Sequence, residues 1–270
     1  MPVERILITV KTYPTLSKTY GETVCTAGVR DDGTWVRIYP VPFRRLGYEQ
    51  QYRKYQWIEC DLLPNPKDKR PETRRPVSES FQTLGELDTK DEWRERRRLL
   101  TGGPGVFDRL DPLLEQARNL EISLAVFRPS KIVGLVVKEE AEREWDQKRI
   151  EEMRQLYSQH DLFDDNSWRE TFRVIPKLPY SFSYCFRDVD GRESTLQILD
   201  WEIGALFAKY RANESVAVEK VRKKYFDEFT ARDLHFVLGT RLTHQMKNAP
   251  NPWSIVSVLP FPHIKQASLF

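Results

Sequence analysis

The chain has 270 residues, of which 40% are hydrophobic, 12% aromatic and 31% charged. This excludes a disordered chain and predicts one large or two small folded domains with an aromatic-rich core. Lys and Arg total 43 against 40 Asp and Glu, a net charge of +3, which is compatible with nucleic acid but too mild to argue for it alone.

The first third reads as strands. Residues 6–10 open, 22–29 run into Asp31-Asp32-Gly33, and 35–39 continue beyond it; Asp-Gly between β-branched runs predicts a hairpin. Residues 56–62 form another strand, ending at Pro64-Asn65-Pro66. Thr89 with Glu92 has the spacing of a capping box, predicting a helix to about Leu100 that stops at Gly102-Gly103. Asp111-Pro112 starts a second helix, 122–127 and 131–138 are strands, and 146–157 is a charged helix. The later part again mixes strands with helices. Residues 180–186 and 193–199 flank Asp190-Gly191 as a hairpin. Asp200 caps a helix from Trp201, 214–229 is helical, and 234–238 and 253–258 are strands.

The expected fold class is α+β, mainly antiparallel small β-barrels with inserted helices. The expected domains are 1–145, an acidic helix or linker at 146–166, 167–262, and a tail at 263–270. No apolar run is long enough to cross a bilayer and Pro2-Val3-Glu4-Arg5 does not begin a signal peptide, so no membrane is expected. Cys25, Cys60 and Cys185 are odd in number and set in apolar runs, predicting buried thiols and a cytoplasmic protein. No histidine stands at ligand spacing from a cysteine, and neither metal nor cofactor is expected.

Several segments are candidates for function. Arg53, Lys54, Arg70, Arg74 and Arg75 are interleaved with Tyr48, Tyr52, Tyr55 and Trp57, the mixture with which small barrels track phosphates and stack bases. Its bland counterpart is a solvated loop surface whose aromatics belong to the core. Arg94, Arg97 and Arg98 share a face of the expected helix, placed to hold phosphate or to pair with neighbouring acids. Glu59 and Asp61 share a strand face that would suit Mg²⁺, but no third ligand is in register. His235, among apolar neighbours, reads as structural; His244 lies in a polar loop with no assignable nucleophile. No catalytic constellation emerges.

Gln266-Ala267-Ser268-Leu269-Phe270 resembles the short peptide by which bacterial replication and repair proteins grip the DNA sliding clamp. Leu269 and Phe270 would be the apolar anchors and Gln266 the polar register residue, with weak binding on the order of micromolar. Gln159, Leu162 and Phe163 repeat the pattern internally, where they serve equally well as the end of a helix anchored to the core. The strands carrying Val24-Cys25-Thr26-Ala27-Gly28, Gly33-Thr34-Trp35-Val36-Arg37 and Trp57-Ile58-Glu59-Cys60-Asp61-Leu62 resemble prokaryotic dual OB-like domains, over about the first 75 residues. The whole chain resembles an uncharacterised bacterial family bearing a similar terminal peptide. Those resemblances imply a nucleic-acid-associated protein recruited by the sliding clamp, in DNA processing or phage defence. The rivals are a clamp-recruited, metal-dependent nuclease and a structural or toxin-neutralising interaction protein.

Overall fold

A computed structural model of the chain describes residues 3–77, 80–102, 105–160 and 174–264, without the side chains of 156–160. Its first seven strands are Val3–Lys11 (β1), Thr15–Ser17 (β2), Gly21–Val29 (β3), Trp35–Val41 (β4), Gln56–Pro64 (β5), Thr73–Pro76 (β6) and Gln82–Glu86 (β7). They pair in the order β1-β3-β4-β6-β5, and β5 pairs back to β1, closing a five-strand barrel. β2 extends the hairpin with β3, and β7 adds to β5. Counting barrel strands alone, the order is 1-2-3-5-4-1 with the third and fifth parallel, the arrangement of an OB barrel.

Alternation in the sequence drives this closure. In β5, Ile58, Cys60 and Leu62 are buried, whereas Glu59 and Asp61 lie on the opposite, half-exposed face. The inward residues Ile6, Ile8, Val24, Val36, Ile38 and Ile58 fill the barrel. β1 serves two neighbours: 3–7 pair with β5 and 7–11 with β3, and an irregularity between Ile8 and Val10 accommodates its bend. The expected Asp-Gly turn forms, with Gly33 at φ 82° and the Asp32 carboxylate accepting from the Thr34 N–H at 2.9 Å.

The second half comprises Val106–Phe107 (β8), Leu124–Phe127 (β9), Lys131–Glu139 (β10), Tyr180–Arg187 (β11), Glu193–Gln197 (β12), Asp233–Thr240 (β13) and Trp253–Phe261 (β14). One sheet runs β10-β11-β12 and the other β14-β13-β9-β8. Residues 128–130 alone separate β9 from β10, and a parallel bridge between Ile198 and Ile255 links the two sheets. With β9 and β10 taken as one bent first strand, the order 1-2-3-5-4-1 recurs, again with the third and fifth parallel. The helices Trp201–Lys209 and Glu214–Arg222, the latter continued by a π turn at Lys223–Glu228, connect the third strand to the fourth. Their Ile203, Phe207, Ala217 and Val221 pack with Phe182, Tyr184, Phe186 and Phe236 in this half's core.

The halves meet through outer faces. Leu7, Val10, Ala27, Val29 and Trp35 of the first barrel pack against Leu124, Val126, Val237, Val256 and Phe261 of the second half. β14 is consequently buried on both faces, every residue of it. The segment 146–166 falls in the connection between β10 and β11, which pair with each other on either side of it. The helix Gln147–His160 within that connection lays Met153 against Leu16 of β2.

One expectation needs correction. Thr89 makes no side-chain cap, and Asp91, Glu92 and Trp93 begin the helix Lys90–Thr101 with φ of 49°, 56° and 63°. Tertiary contacts override the capping signal: Trp93 packs on Tyr55 and Phe261, while Arg96 lies over the Tyr55 ring at 3.9 Å and donates to the Leu87 carbonyl. β6 was also hidden by its charged sequence, Thr73-Arg74-Arg75-Pro76. It qualifies as a strand by closing the barrel, not by hydrophobic alternation.

Candidate functional site between the two barrels

The outward faces of β1, β3 and β4 alternate with the residues that fill the barrel. Val36 and Ile38 point inward, so Arg37 and Tyr39 point towards the second half. A cavity of about 700 Å³ lies there, within the range of small-molecule sites. Thr12, Cys25, Arg37 and Tyr39 contribute from the first barrel; Tyr180, Ser181, Gln197 and Arg241 from the second; Trp145 and Lys177 from the connection between β10 and β11.

Arg37 is 1% exposed, and its guanidinium donates to the Thr73 hydroxyl at 3.3 Å and the Ser123 carbonyl at 2.7 Å. Burial, assisted by neighbouring Arg70, lowers its pKa to about 10, which still leaves it charged at neutral pH. Glu72 completes this tie by accepting from the Ser123 N–H at 2.8 Å. Arg70 is neutralised by Asp68 and also donates to the Thr240 carbonyl of the second half. Arg241 donates to the Gln197 side chain, while its buried Nε has no partner among the described residues. Burial raises the pKa of the Tyr39 phenol, so it is a neutral donor at neutral pH.

Beside the cavity sits a buried ionic knot. Asp200 is 2% exposed and accepts from the Glu202 N–H at 3.2 Å, capping the helix as expected, and from the Val258 N–H at 3.0 Å. Lys54 reaches across from the first barrel to Asp200 at 3.4 Å and to the Val258 carbonyl at 2.9 Å. Burial opposes the charge on Lys54, but Asp200 overcomes it and holds the ammonium pKa above its usual value. Glu202 is pushed up to about 8 by burial and then by Asp200. Lys11 lies over the rings of Phe43 at 4.2 Å and Trp201 at 4.5 Å.

The sequence candidates are scattered. Lys54 and Arg70 are committed to these internal ion pairs. Arg53 is exposed and pairs with Glu86 at 3.2 Å, Arg74 donates to the Pro71 and Thr73 carbonyls, and Arg75 is exposed. Arg94 and Arg98 are exposed and pair with Asp91 and Glu95, whereas Arg97 is drawn to Asp233 and the Pro262 carbonyl. His235 is buried against Phe261, and desolvation lowers its pKa. Glu59 and Asp61 belong to no metal-binding group of His, Cys, Asp and Glu among the described residues. Gln266, Leu269, Phe270, Leu162 and Phe163 lie outside the described residues; Gln159 is in the last turn of its helix, with its side chain outside them. No described helix is long and apolar enough to cross a membrane, and Cys25, Cys60 and Cys185 are free thiols.

Arg37 and Arg241, missed in the sequence, did leave a signal: each is a lone charge in or directly after a buried strand, Trp-Val-Arg-Ile-Tyr in one case and Leu-Gly-Thr-Arg in the other. An arginine in such a setting must find buried partners: Arg37 finds them across the junction at Ser123, and Arg241 within its own half at Gln197.

Fold and site together define a protein of two OB-ordered halves enclosing a cavity at their junction. Residues 107–270 match the family described as a domain of unknown function (DUF8757), and 2–102 match a second, also a domain of unknown function (DUF8758). The chain belongs to the first of these families, whose match covers more than half of it. No curated protein matches it. A solved murine DNA-binding protein, bound with double-stranded DNA, aligns over 99% of this chain and 98% of its own at 11% identity and a TM-score of 0.31. A likeness that slight carries no argument about ligand or mechanism.

Proposed function

We propose that this is a nucleic-acid-associated protein that binds single strands and is brought to replicating DNA by its Gln266-Ala267-Ser268-Leu269-Phe270 peptide. The observation that carries the first part is the OB strand order, present as a closed barrel and repeated in the second half. Barrels of this order offer their second and third strands and adjoining loops to oligonucleotides. In the first barrel that face is turned into the junction, so its strand contacts fall to the outer loops and to Arg53, Arg74, Arg75, Arg94 and Arg98. In the second half the outward side of β10 is open, with Val133 and Val136 exposed beside Lys131 and Lys138, while Ser181 of β11 and Gln197 of β12 line the junction cavity.

Fluorescence anisotropy with a labelled single strand tests this reading. Binding should weaken with salt, and replacing Arg74 and Arg75 by Gln should lower the slope of log affinity against log salt by about 0.7 for each phosphate of the single strand no longer neutralised. An unchanged slope and affinity would remove the proposed face. Recruitment is tested separately, by comparing clamp binding of the full chain with a Leu269→Ala, Phe270→Ala chain. Equal affinity would end the clamp argument.

A further inference from the structure

The junction cavity is lined by both halves, and its charged side chains are not the residues that fill either barrel. We propose that it is a binding site for a nucleoside phosphate, supplied either as a free mononucleotide or as the phosphorylated end of a strand. This goes beyond the proposed function, which concerns the outer surfaces.

Three observations converge on that ligand chemistry. The cavity measures about 700 Å³, room enough for a nucleotide and its water. Its walls carry Arg37, Arg70, Arg241 and Lys177 against the carboxylates Glu140 and Asp200. Asp68 neutralises Arg70, and Lys54 neutralises Asp200. Positive charge therefore remains at Arg37, which is held by neutral acceptors, and at Arg241 and Lys177, opposite Glu140. Arg241 is the distinctive group. Its side chain bonds neutral Gln197, and its Nε is buried without a partner among the described residues. A buried, unpaired guanidinium N–H costs stability, and an anionic oxygen is the acceptor that would reward it most.

The third observation is aromatic. Tyr13, Tyr39, Trp145 and Tyr180 line the same space, and their own polar atoms are largely engaged elsewhere. The Tyr13 hydroxyl donates to the Pro176 carbonyl at 3.0 Å, the Trp145 N–H to the Ile175 carbonyl at 2.7 Å, and the Tyr180 hydroxyl to Glu214 at 3.1 Å. Anchored at their tips, these rings present apolar faces suited to a flat base, while the Tyr39 hydroxyl and the Gln197 amide supply polar contacts. Sulfate or phosphate alone would use the arginine and leave the rings idle; an uncharged aromatic would do the reverse.

The test is calorimetric titration of the full chain with AMP and CMP, adenosine, inorganic phosphate, and a 5′-phosphorylated oligonucleotide beside its 5′-hydroxyl form. The expected result is one site per chain for a mononucleotide or for the phosphorylated end, with at least tenfold weaker binding when the phosphate is missing. Arg241→Gln should weaken binding tenfold or more. Because that substitution bears on a buried contact, Ser181→Trp, which fills the cavity from a half-buried wall position, is the second variant. Each is checked for native circular dichroism first. Preference for the mononucleotide identifies a free ligand, and preference for the 5′-phosphorylated oligonucleotide identifies a strand end; both support the site. Absence of binding by every probe at millimolar concentration, or undiminished binding in folded Arg241→Gln and Ser181→Trp chains, overturns it. Arg74→Gln, which weakens strand binding in the proposed function, should leave mononucleotide binding unchanged, so the two readings fail separately.

Discussion

Replacing Asp200 by Ala should be among the most damaging single changes outside the apolar core. Its carboxylate performs two tasks. It accepts from the Glu202 N–H at the start of the helix Trp201–Lys209, and loss of such a cap costs about 1 kcal/mol. It also neutralises Lys54, whose ammonium has the Val258 carbonyl as its remaining hydrogen-bond acceptor among the described residues. Breaking a buried pair from one side costs about 3–5 kcal/mol, because the survivor stays buried and charged. Together the loss is roughly 4–6 kcal/mol, and in a chain of this size about 2–4 °C of melting temperature follows each kcal/mol. A fall of about 10 °C or more is therefore expected in calorimetry. Lys54→Met should cost less, since Asp200 keeps two backbone N–H donors. The double variant should be more stable than the sum of the single losses predicts, because neither charge is then abandoned. A drop below 1 kcal/mol for Asp200→Ala, or strict additivity in the double variant, would refute the claim that this pair joins the halves.

Stability should also depend on pH through Glu202, which adjoins Asp200, Lys54 and Lys11. Its folded pKa of about 8 exceeds the ordinary 4.5, so the folded state holds the proton more tightly. Stability contributed by that proton is complete below about 4.5 and is lost as pH rises towards 8. Urea midpoints should fall across that window, and Glu202→Gln should flatten the fall; an identical slope in both chains contradicts the assignment. Gly204→Ala should destabilise the junction, since a Cβ there would stand 2.1 Å from the Tyr13 ring. The expected signs are a loss of about 1–3 kcal/mol in denaturant titration and a cavity altered at Tyr13; a neutral effect would mean that the ring moves freely.

Much of the fold was legible because local signals agreed with the tertiary outcome. Asp32-Gly33 and Asp190-Gly191 turned where turn chemistry demands, and Asp200 capped the helix that follows it. Alternation along 56–62 gave the correct inward face. Less legible were the elements whose role is set at a distance. The Arg74-Arg75 strand closes a barrel through pairing with β4 and β5, a partnership no local pattern encodes. The start of the Lys90–Thr101 helix obeys Trp93 and Arg96 instead of Thr89. The site was the hardest to read: basic residues clustered in sequence disperse in space, with Lys54 and Arg70 turned inward, while Arg37 and Arg241, near opposite ends of the chain, line one cavity. Linear charge density reports exposed loops well, but a junction between domains is assembled from single residues far apart.

The tie formed by Arg37, Ser123 and Glu72 has a consequence for motion. Greasy surfaces tolerate sliding, because one aliphatic contact replaces another at little cost. A guanidinium gripping both the hydroxyl and the carbonyl of Ser123 across the junction does not, since any displacement strands a buried charge. The two halves should therefore behave as a welded block, without a hinge, and the space between them keeps its width whether or not it is filled.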